Sequence, residues 1–448
     1  MYRLAEQDLR QWKDDPFRLP LIVRGARQVG KTFLIESIAK QLFEHVITIN
    51  FEVQAQYQKC FAGELLPQTI LKQIELISTQ TCIPGKTLLF LDEIQECPRA
   101  ILSLRYFKEQ LPDLHVIAAG SLLEFTLADT SFSFPVGRVS FLHLKPLSFI
   151  EFLHSLGKNQ LVTFLSEVTL SEANPIPPVI HELLLDLVRH YVVLGGMPAV
   201  VQRYMETQSF LEALTLKTKL KESYYNDFSK YTTGIQHQYL TKVLHAAPAL
   251  VGKSFKYNSI HPTMRAREVK KALEQLQLTQ TLSVVPAIST PTLPLQANTK
   301  PNKFKLLFLD VGLMNHNFNI TELIIAHDKS LLHWGTLMEQ MVGQELLAYQ
   351  PRNMPGELFY WVRDKTGSMA ELDYLTTMNN QIIPIEVKAG KTGRLKSLAQ
   401  FLGTSQAPVG IQISDAPLAV NGKILSIPFY LIHELERLIL EVARSTRQ

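Results

Sequence analysis

The stretch RGARQVGKT at residues 24–32 decides the fold of this 448-residue chain. It contains the complete GxxxxGK[ST] spacing of a phosphate-binding P-loop. The apolar residues 19–23 before it predict a buried strand, and residues 33–42 after it predict an amphipathic helix. The stretch therefore lies between a strand and a helix, which is the context that a P-loop requires.

Phosphate binding explains why this loop needs glycines and a lysine. Glycines allow backbone N–H groups to turn inward around a phosphate, and the helix that follows directs its positive end at the same anion. We expect Lys31 to reach the β- and γ-phosphates of ATP and Thr32 to offer its hydroxyl to Mg²⁺. The predicted nucleotide contacts of the loop are Gly25, Ala26, Arg27, Gln28, Val29, Gly30, Lys31 and Thr32.

The sequence also contains controls for this assignment. GK[ST] recurs at residues 85–87, 252–254 and 390–392, but none of these copies has the upstream glycine. A chance glycine turn before a helix is the alternative interpretation of residues 24–32. The full spacing and the elements around it favour the P-loop.

A second motif follows at residues 87–93, TLLFLDE, where an apolar strand ends in two acids. This is the arrangement of a Walker B site, in which Asp92 would hold Mg²⁺ and Glu93 would orient or deprotonate the attacking water. A solvated strand end is the ordinary explanation of such a pair, but the P-loop upstream favours the catalytic one. Ser121 follows a further predicted strand, where it would contact the γ-phosphate or cap the next turn.

Arg138 follows a proline and a glycine in the segment PVGR, residues 135–138. It would act as an arginine finger if it reached the γ-phosphate of a neighbouring subunit, which would make the protein a homo-oligomer. A loop arginine more often forms a surface ion pair. Both interpretations stay open at this point.

Composition excludes several classes of protein. The formal net charge is only +4 and the hydrophobic share is 46%, so affinity for nucleic acid must come from local patches. Cys60, Cys82 and Cys97 have no CxxC spacing and suit a reducing compartment. Residues 1–15 are charged, and no apolar run reaches the roughly 18 residues of a membrane span. We expect a cytoplasmic protein without a membrane partner.

Length and patterning predict several domains, with a fold of the α/β class. Strands alternate with helices in the first part, which predicts a mainly parallel sheet covered by helices on both faces. Pro175, Pro177 and Pro178 mark the first boundary, and Gly195 to Pro198, GGMP, predict a tight turn with a hinge or packing role. The predicted domains are a P-loop AAA-type ATPase domain at 1–165, a helical lid or linker at 166–238, a winged-helix-like domain at 239–316 and a final α/β domain at 330–448.

A predicted helix at residues 263–278 separates an apolar stripe from a basic face. The stripe consists of Ala266, Val269, Leu273 and Leu276. The basic face consists of Arg265, Arg267, Lys270 and Lys271. Two strand-like runs follow, as in a winged helix, so the basic helix could enter a DNA groove. A solvated charged face on a packing module is the alternative.

Carboxylates and a lysine recur on predicted strands near the C terminus. Because side chains alternate along a strand, Glu371 and Asp373 share one face, and Glu386 and Lys388 share another. Three acids and a lysine that converge at strand centres could bind a divalent metal and a water for phosphodiester hydrolysis. The alternative is a structural ion-pair cluster that needs no metal.

These segments together resemble a large bacterial and archaeal family of predicted AAA-type ATPases with a C-terminal domain related to PD-(D/E)XK nucleases. In the first part the resemblance rests on RGARQVGKT, LLFLDEIQECP, IAAGSLLEF and PVGRVSFLHLKPLSFIEF. In the last part it rests on GTLMEQMVGQELL, YWVRDKTGSMAELDYL and IIPIEVKAGK. The resemblance implies a restriction-endonuclease-like fold for the last domain.

The resemblance also assigns roles to single positions. Lys31 and Thr32 look like the Walker A pair, Asp92 and Glu93 like the Walker B pair, and Ser121 like sensor 1. Asp373, Glu386 and Lys388 match the nuclease-like catalytic core, with Glu339 similar to its helical acid. In that core the implied metal ligands are Glu339, Asp373 and Glu386. No second sensor arginine is apparent in the helical segment, so the sequence does not support a closed hexamer.

Three functional hypotheses follow from the sequence. The leading one is an ATP-driven switch or motor coupled to a nucleic-acid-directed C-terminal module with nuclease-like chemistry. The second is a regulatory protein that binds ATP and uses its other domains only to bind partners. The third is a toxin-like or defence nuclease that its ATPase domain keeps inactive.

Overall fold

The structure is a computed structural model that describes residues 1–121, 123–128, 134–135, 137–171, 175–227, 234–260, 264–315, 333–363, 370–389 and 395–445. Its helices are α1 Ala5–Asp14, α2 Lys31–Leu42, α3 Pro67–Ser78, α4 Pro98–Gln110, α5 Leu123–Ala128, α6 Phe149–Ser155, α7 Asn159–Glu167, α8 Pro178–Leu194, α9 Pro198–Thr207, α10 Phe210–Asp227, α11 Ile235–Ala246, α12 Ala266–Leu278, α13 Val311–Asn315, α14 Trp334–Ala348, α15 Lys396–Thr404 and α16 Leu435–Ser445. Its strands are β1 Leu21–Arg24, β2 His45–Asn50, β3 Thr87–Asp92, β4 His115–Ala119, β5 Ser140–His143, β6 Leu282–Ile288, β7 Thr299–Phe308, β8 Phe359–Val362, β9 Glu371–Met378, β10 Gln381–Lys388, β11 Gly410–Ser414, β12 Ala419–Asn421 and β13 Ile424–Pro428. The GKT copy at 390–392 and parts of the C-terminal motif segments lie outside the described residues.

The first sheet is parallel throughout, with the strand order β2-β3-β4-β1-β5. Apolar clusters cover both of its faces, and every residue of β3 is buried. This confirms the predicted α/β fold with a parallel sheet, because strands covered on both faces read as continuous apolar runs. The P-loop leaves the carboxyl end of β1, between β4 and β5, where the order of the strands reverses.

The second sheet has the strand order β12-β13-β11-β10-β9-β8-β6-β7. The hairpin β6–β7, which was expected as the wing of a winged helix, forms as an antiparallel pair. However, Ala287 and Ile288 of this hairpin also pair in parallel with Tyr360 and Trp361 of β8. The hairpin is therefore part of the C-terminal sheet and not a free wing, and the winged-helix assignment stays a prediction.

One apolar core joins the middle helices to the C-terminal sheet. It runs from Leu147 before α6 through α8, α9 and α12 to Val442 in α16. The predicted boundary between residues 239–316 and 330–448 therefore crosses a shared core and a shared sheet. Helices α8 and α9 meet at 118° over the GGMP turn, and by length and composition alone this bent pair resembles a broken membrane span. In the described part of the chain, no single helix is long and apolar enough to cross a membrane.

Candidate nucleotide site and carboxylate cluster

The P-loop needs glycine at two positions for steric reasons. At Gly25 an added Cβ would collide with the carbonyl oxygen of Leu144. Gly30 has φ +91° and immediately precedes α2, a left-handed conformation that L side chains rarely adopt. These constraints explain the spacing that identified the loop in the sequence.

Lys31 is buried under its own loop. Its Nζ donates hydrogen bonds of 2.9 Å to the carbonyl oxygens of Gly25 and Ala26. Burial lowers the pKa of Lys31 to about 8, and the nearby charges of Glu93 and Asp92 oppose that shift. Its two acceptors are uncharged, so a phosphate in the loop would give the ammonium a stronger, charge-assisted partner.

Thr32 and Asp92 lie together, as the two motifs predicted. The Thr32 hydroxyl donates to both carboxylate oxygens of Asp92, at 3.2 and 3.1 Å. Asn50, which the sequence did not single out, donates from Nδ2 to the same carboxylate at 3.1 Å. Burial, and then the charge of Glu93, raises the pKa of Asp92. A hydroxyl and a carboxylate are hard oxygen donors, so this pair fits a Mg²⁺ ion that takes its other ligands from phosphates and water.

Glu93 and Ser121 also meet, at the carboxyl ends of β3 and β4. The Ser121 hydroxyl donates to Oε2 of Glu93 at 3.3 Å, and Nε2 of Gln95 donates to the same oxygen at 2.8 Å. Glu93 itself has the left-handed φ of 48°. Ser121, predicted to act on the γ-phosphate, and Glu93, predicted to act on the attacking water, are therefore joined by a direct hydrogen bond.

A cleft of about 990 Å³, including its open mouth, lies over these side chains. One wall consists of P-loop residues together with Phe33, Glu93 and Ser121. The opposite wall consists of Pro198, Ala199 and Gln202, at the start of α9. The sequence predicted the GGMP turn before α9 but not its place beside the P-loop, because only tertiary packing brings α9 there.

Arg3 supports the P-loop from behind, and no sequence signal marked it. Its guanidinium donates to the Val29 carbonyl at 2.8 Å and to the Lys145 carbonyl at 2.6 Å. It also forms an ion pair with Glu151 at 3.0 Å, and both side chains are almost completely buried. A single arginine before a motif carries no pattern that sequence reasoning could use.

Arg138 lies outside the residues that line the cleft of its own chain. Its Nε contacts Glu109 at 3.0 Å, and its side chain is half exposed. This is the surface ion pair that was the alternative interpretation. An arginine finger would act on another subunit, so that role stays a prediction.

Asp310 connects the cleft wall with the C-terminal sheet. Its Oδ2 accepts a hydrogen bond of 2.6 Å from the Gly196 backbone N–H in the GGMP turn. Its Oδ1 accepts from the Leu313 N–H, at 2.9 Å. Asp310 is fully buried, which raises its pKa, and it lies two residues after the end of β7. The Asp310 carboxylate therefore couples the position of α9 to the end of β7.

A buried lysine, Lys305 on β7, lies among the C-terminal carboxylates. Its Nζ is 2.8 Å from Glu371, 2.9 Å from Glu339 and 3.4 Å from Asp373. Burial lowers the pKa of Lys305, but the three carboxylates raise it by more. Sequence reasoning placed Glu371 and Asp373 on one face, and the structure gives both a common partner.

The other carboxylates of this group have partners of their own. Asp373 accepts at Oδ2 from the Val387 backbone N–H at 2.8 Å. Glu386 pairs with Lys388. Burial and the Asp373 charge raise the pKa of Glu339, although Lys305 opposes that shift.

The basic face of α12 is exposed as predicted. Arg265, Arg267, Lys270 and Lys271 are exposed, whereas Val269, Leu273 and Leu276 are buried. Ala266 was expected on the apolar stripe, but it is exposed because it lies in the first turn of the helix. The described residues of this region thus present a basic face to solvent.

Three family models match the chain. An AAA domain matches residues 18–153, a domain of unknown function (DUF8612) matches 185–323, and a domain of unknown function (DUF4143) matches 334–430. The amino-terminal part is therefore an AAA-type P-loop ATPase domain. The other two descriptions assign no activity, and no curated protein matches the chain.

Solved structures of other proteins are distantly similar. A Walker-type ATPase of Pyrococcus abyssi has 15% identity and a TM-score of 0.44, over 70% of this chain and 95% of that one. The ORC2 protein of Aeropyrum pernix has 12% identity and a TM-score of 0.37, over 74% and 96%. A signal transduction ATPase with a tetratricopeptide repeat sensor from Pyrococcus horikoshii has 12% identity and a TM-score of 0.25, over 77% and 45%. At these values the likeness assigns no substrate or partner to this chain.

Proposed function

We propose that this protein binds ATP with Mg²⁺ in the cleft between the P-loop and α9, hydrolyses it, and uses the nucleotide as a switch. The observation that carries the proposal is the convergence of five predicted side chains on one edge of the first sheet. Lys31, the Thr32–Asp92 pair, Glu93 and Ser121 all lie at the carboxyl ends of neighbouring parallel strands. This edge of an α/β sheet is where ligands bind.

Each side chain has a role that its geometry supports. Lys31 would exchange two loop carbonyls for phosphate oxygens, and the start of α2 would face the same anion. Thr32 and Asp92 would hold Mg²⁺, which neutralises charge on the transferred phosphoryl group. Glu93 would accept a proton from the attacking water or orient that water. Ser121, which bonds Glu93, would turn to the γ-phosphate when it is bound.

The switch would act through α9. The start of α9 faces the P-loop, and the turn before it is bonded to Asp310. Ordering of α9 against bound ATP would therefore shift Asp310 relative to β7 and the sheet that contains β7. Hydrogen exchange of β7 should slow when a non-hydrolysable ATP analogue binds, and Asp310→Asn should weaken that response.

Three variants test the ATP proposal. Lys31→Ala should weaken ATP binding, because it removes the charge that faces the phosphates. Glu93→Gln should preserve binding and slow hydrolysis, because it keeps the shape of the side chain and removes the base. Lys86→Ala is the matched control, since Lys86 belongs to a GKT copy without the upstream glycine and forms an exposed pair with Glu44. Equal ATP binding by wild type and Lys31→Ala in calorimetry would refute the assignment.

A second candidate function is action on nucleic acid by the C-terminal module. The exposed basic face of α12 favours it. The test is cleavage of single- and double-stranded DNA and RNA with Mg²⁺ or Mn²⁺, comparing wild type with Asp373→Ala and Lys388→Ala at matched folding. Cleavage that survives both substitutions would come from a contaminant or another site. The absence of cleavage and of metal binding would leave a partner-binding scaffold.

A further inference from the structure

The carboxylates of Glu339, Glu371 and Asp373, which we call the carboxylate cluster, already surround a cation. Lys305 Nζ lies within 3.4 Å of oxygens from three carboxylates that come from α14 and β9. The lysine side chain is 2% exposed, and its ammonium lies 5.2 Å from the centre of the Tyr360 ring. The ammonium therefore fills the centre of the cluster and is enclosed on the aromatic side as well.

The nuclease resemblance implies a divalent metal held by Glu339, Asp373 and Glu386, and the residues present do not fit that metal. Glu339 and Asp373 share the Lys305 ammonium, and the other Asp373 oxygen accepts from Val387. Glu386 pairs with Lys388 through Oε1, while its buried Oε2 has no hydrogen-bond partner among the described residues, so two of the three acids are engaged and the third keeps one oxygen. A divalent ion between these acids would have to approach Lys305 against its charge. Across the described ranges, no group of three or more His, Cys, Asp or Glu side chains is placed to hold a metal ion.

Lys305 is also fixed by the backbone that carries it. It lies within β7, opposite Val285 of β6 in the antiparallel hairpin. Near the cluster, Gly252 has φ +75°, and an added Cβ would lie 2.7 Å from a Glu339 carboxylate oxygen. The cluster thus joins the hairpin, α14, β9 and the loop around Gly252, which come from distant parts of the chain.

We propose that Lys305 is the resident cation of this cluster and takes the place of a divalent metal. The C-terminal cluster is then an ion-pair joint that fastens the β6–β7 hairpin to the rest of its sheet. This inference does not depend on ATP hydrolysis, because it concerns the nucleotide-free protein and a different sheet.

Manganese binding tests the proposal. Calorimetry with Mn²⁺ would compare nucleotide-free full-length chains that all carry Asp92→Asn, so that the ATP site contributes nothing. The variants are the Asp92→Asn parent, Lys305→Met and the double change Lys305→Met with Asp373→Asn. We expect no Mn²⁺ binding at the cluster in the parent, binding after Lys305→Met, and loss of that binding in the double variant. Mn²⁺ should also raise the melting temperature of Lys305→Met and leave that of the parent unchanged.

Two outcomes would overturn the proposal. One is Mn²⁺ binding by the parent that a single Asp373→Asn change removes, because Lys305 would then coexist with a metal. The other is a folded Lys305→Met variant that binds no Mn²⁺, because the ammonium would then not occupy a cation position. If Lys305→Met does not fold, the comparison of the parent with Asp373→Asn still decides the first question.

Discussion

Lys31 of the P-loop and Lys305 of the carboxylate cluster are both buried, but their partners differ in charge. Lys31 donates to two uncharged carbonyl oxygens, and burial lowers its pKa. Lys305 faces three carboxylates, which raise its pKa despite burial. The first lysine gains a charged partner when an anion arrives, whereas the second already has its counter-ions. Burial of a lysine beside acids therefore does not by itself mark a ligand site.

The largest expected effect comes from removing each lysine and comparing stability. Lys305→Met leaves converging carboxylates without a cation, which should cost about 3 kcal/mol. Lys31→Met removes only hydrogen bonds to carbonyls and should cost less than about 1 kcal/mol. Native-state hydrogen exchange of β7 and β9 would measure the loss of stability in Lys305→Met. Exchange of α2 would measure the loss in Lys31→Met. Equal losses for the two variants would show that the comparison is wrong.

A comparable effect on the free energy of unfolding is expected at Glu345. This residue of α14 connects the C-terminal sheet with helices α6 and α8. It accepts hydrogen bonds from the Phe149 N–H at 3.0 Å, from Tyr191 at 2.9 Å and from Tyr349 at 2.7 Å. Burial is the main cause that raises its pKa to about 7. A carboxyl with a raised pKa in the folded state stabilises the fold below its unfolded pKa of about 4.3 and loses that contribution as the pH rises to about 7.

Glu345→Gln should remove that part of the pH dependence, which pKa values of about 4.3 and about 7 put at no more than about 3.5 kcal/mol. Urea unfolding at several pH values between 4 and 8 would measure it in both proteins. An unchanged slope in the variant would mean that Glu345 titrates as it does in the unfolded chain. The hydrogen bonds of Glu345 to Phe149, Tyr191 and Tyr349 would then contribute a stability that does not depend on pH.

Arg3 gives a smaller effect, on the nucleotide site alone. Arg3→Gln removes the donor to the Val29 carbonyl, and loss of one buried charged hydrogen bond should weaken ATP binding roughly tenfold. Arg3→Lys should restore part of the affinity. Arg10→Gln is the control, because Arg10 contacts Gln41 of α2 at an exposed site. Calorimetry that finds wild-type affinity in Arg3→Gln would exclude the supporting role.

The smallest effect concerns the basic face of α12. If Arg267 and Lys270 meet DNA phosphates, neutralising both should lower the logarithmic salt slope of DNA binding by about 2. Neutralising the exposed Lys59 and Lys72 on the ATPase domain is the control. An unchanged slope and affinity in the α12 variant would assign this face to solvent.

Local patterns predicted which side chains of the P-loop and the Walker B segment would lie together, because each motif is short and contiguous in sequence, and their roles in nucleotide binding stay predictions. The strands before Gly25 and Asp92 are continuous apolar runs, and parallel strands place their carboxyl ends together. Arg3, Asn50 and the start of α9 could not be predicted, because each reaches the site only through long-range packing. Their residue types form no motif with the P-loop.

For the carboxylate cluster, in contrast, sequence patterns predicted the acids but not the lysine that pairs with them. Alternation along a strand correctly placed Glu371 and Asp373 on one face, and it also put Glu386 and Lys388 on a common face. Lys305 was assigned to a separate domain, so its charge was never counted against those acids. The parallel pairing of β6 with β8 is responsible, because no local pattern reveals which distant strand joins a hairpin.

That pairing has a consequence for dissecting the protein. The family matches end at residue 323 and resume at residue 334, so a natural cloning boundary falls between β7 and α14. A fragment cut there would separate two strands from their sheet and expose the unpaired edge of β8 together with apolar surface. Unpaired sheet edges associate with other chains. Fragments made at the family boundaries would therefore aggregate, and the two regions have to be expressed together to fold.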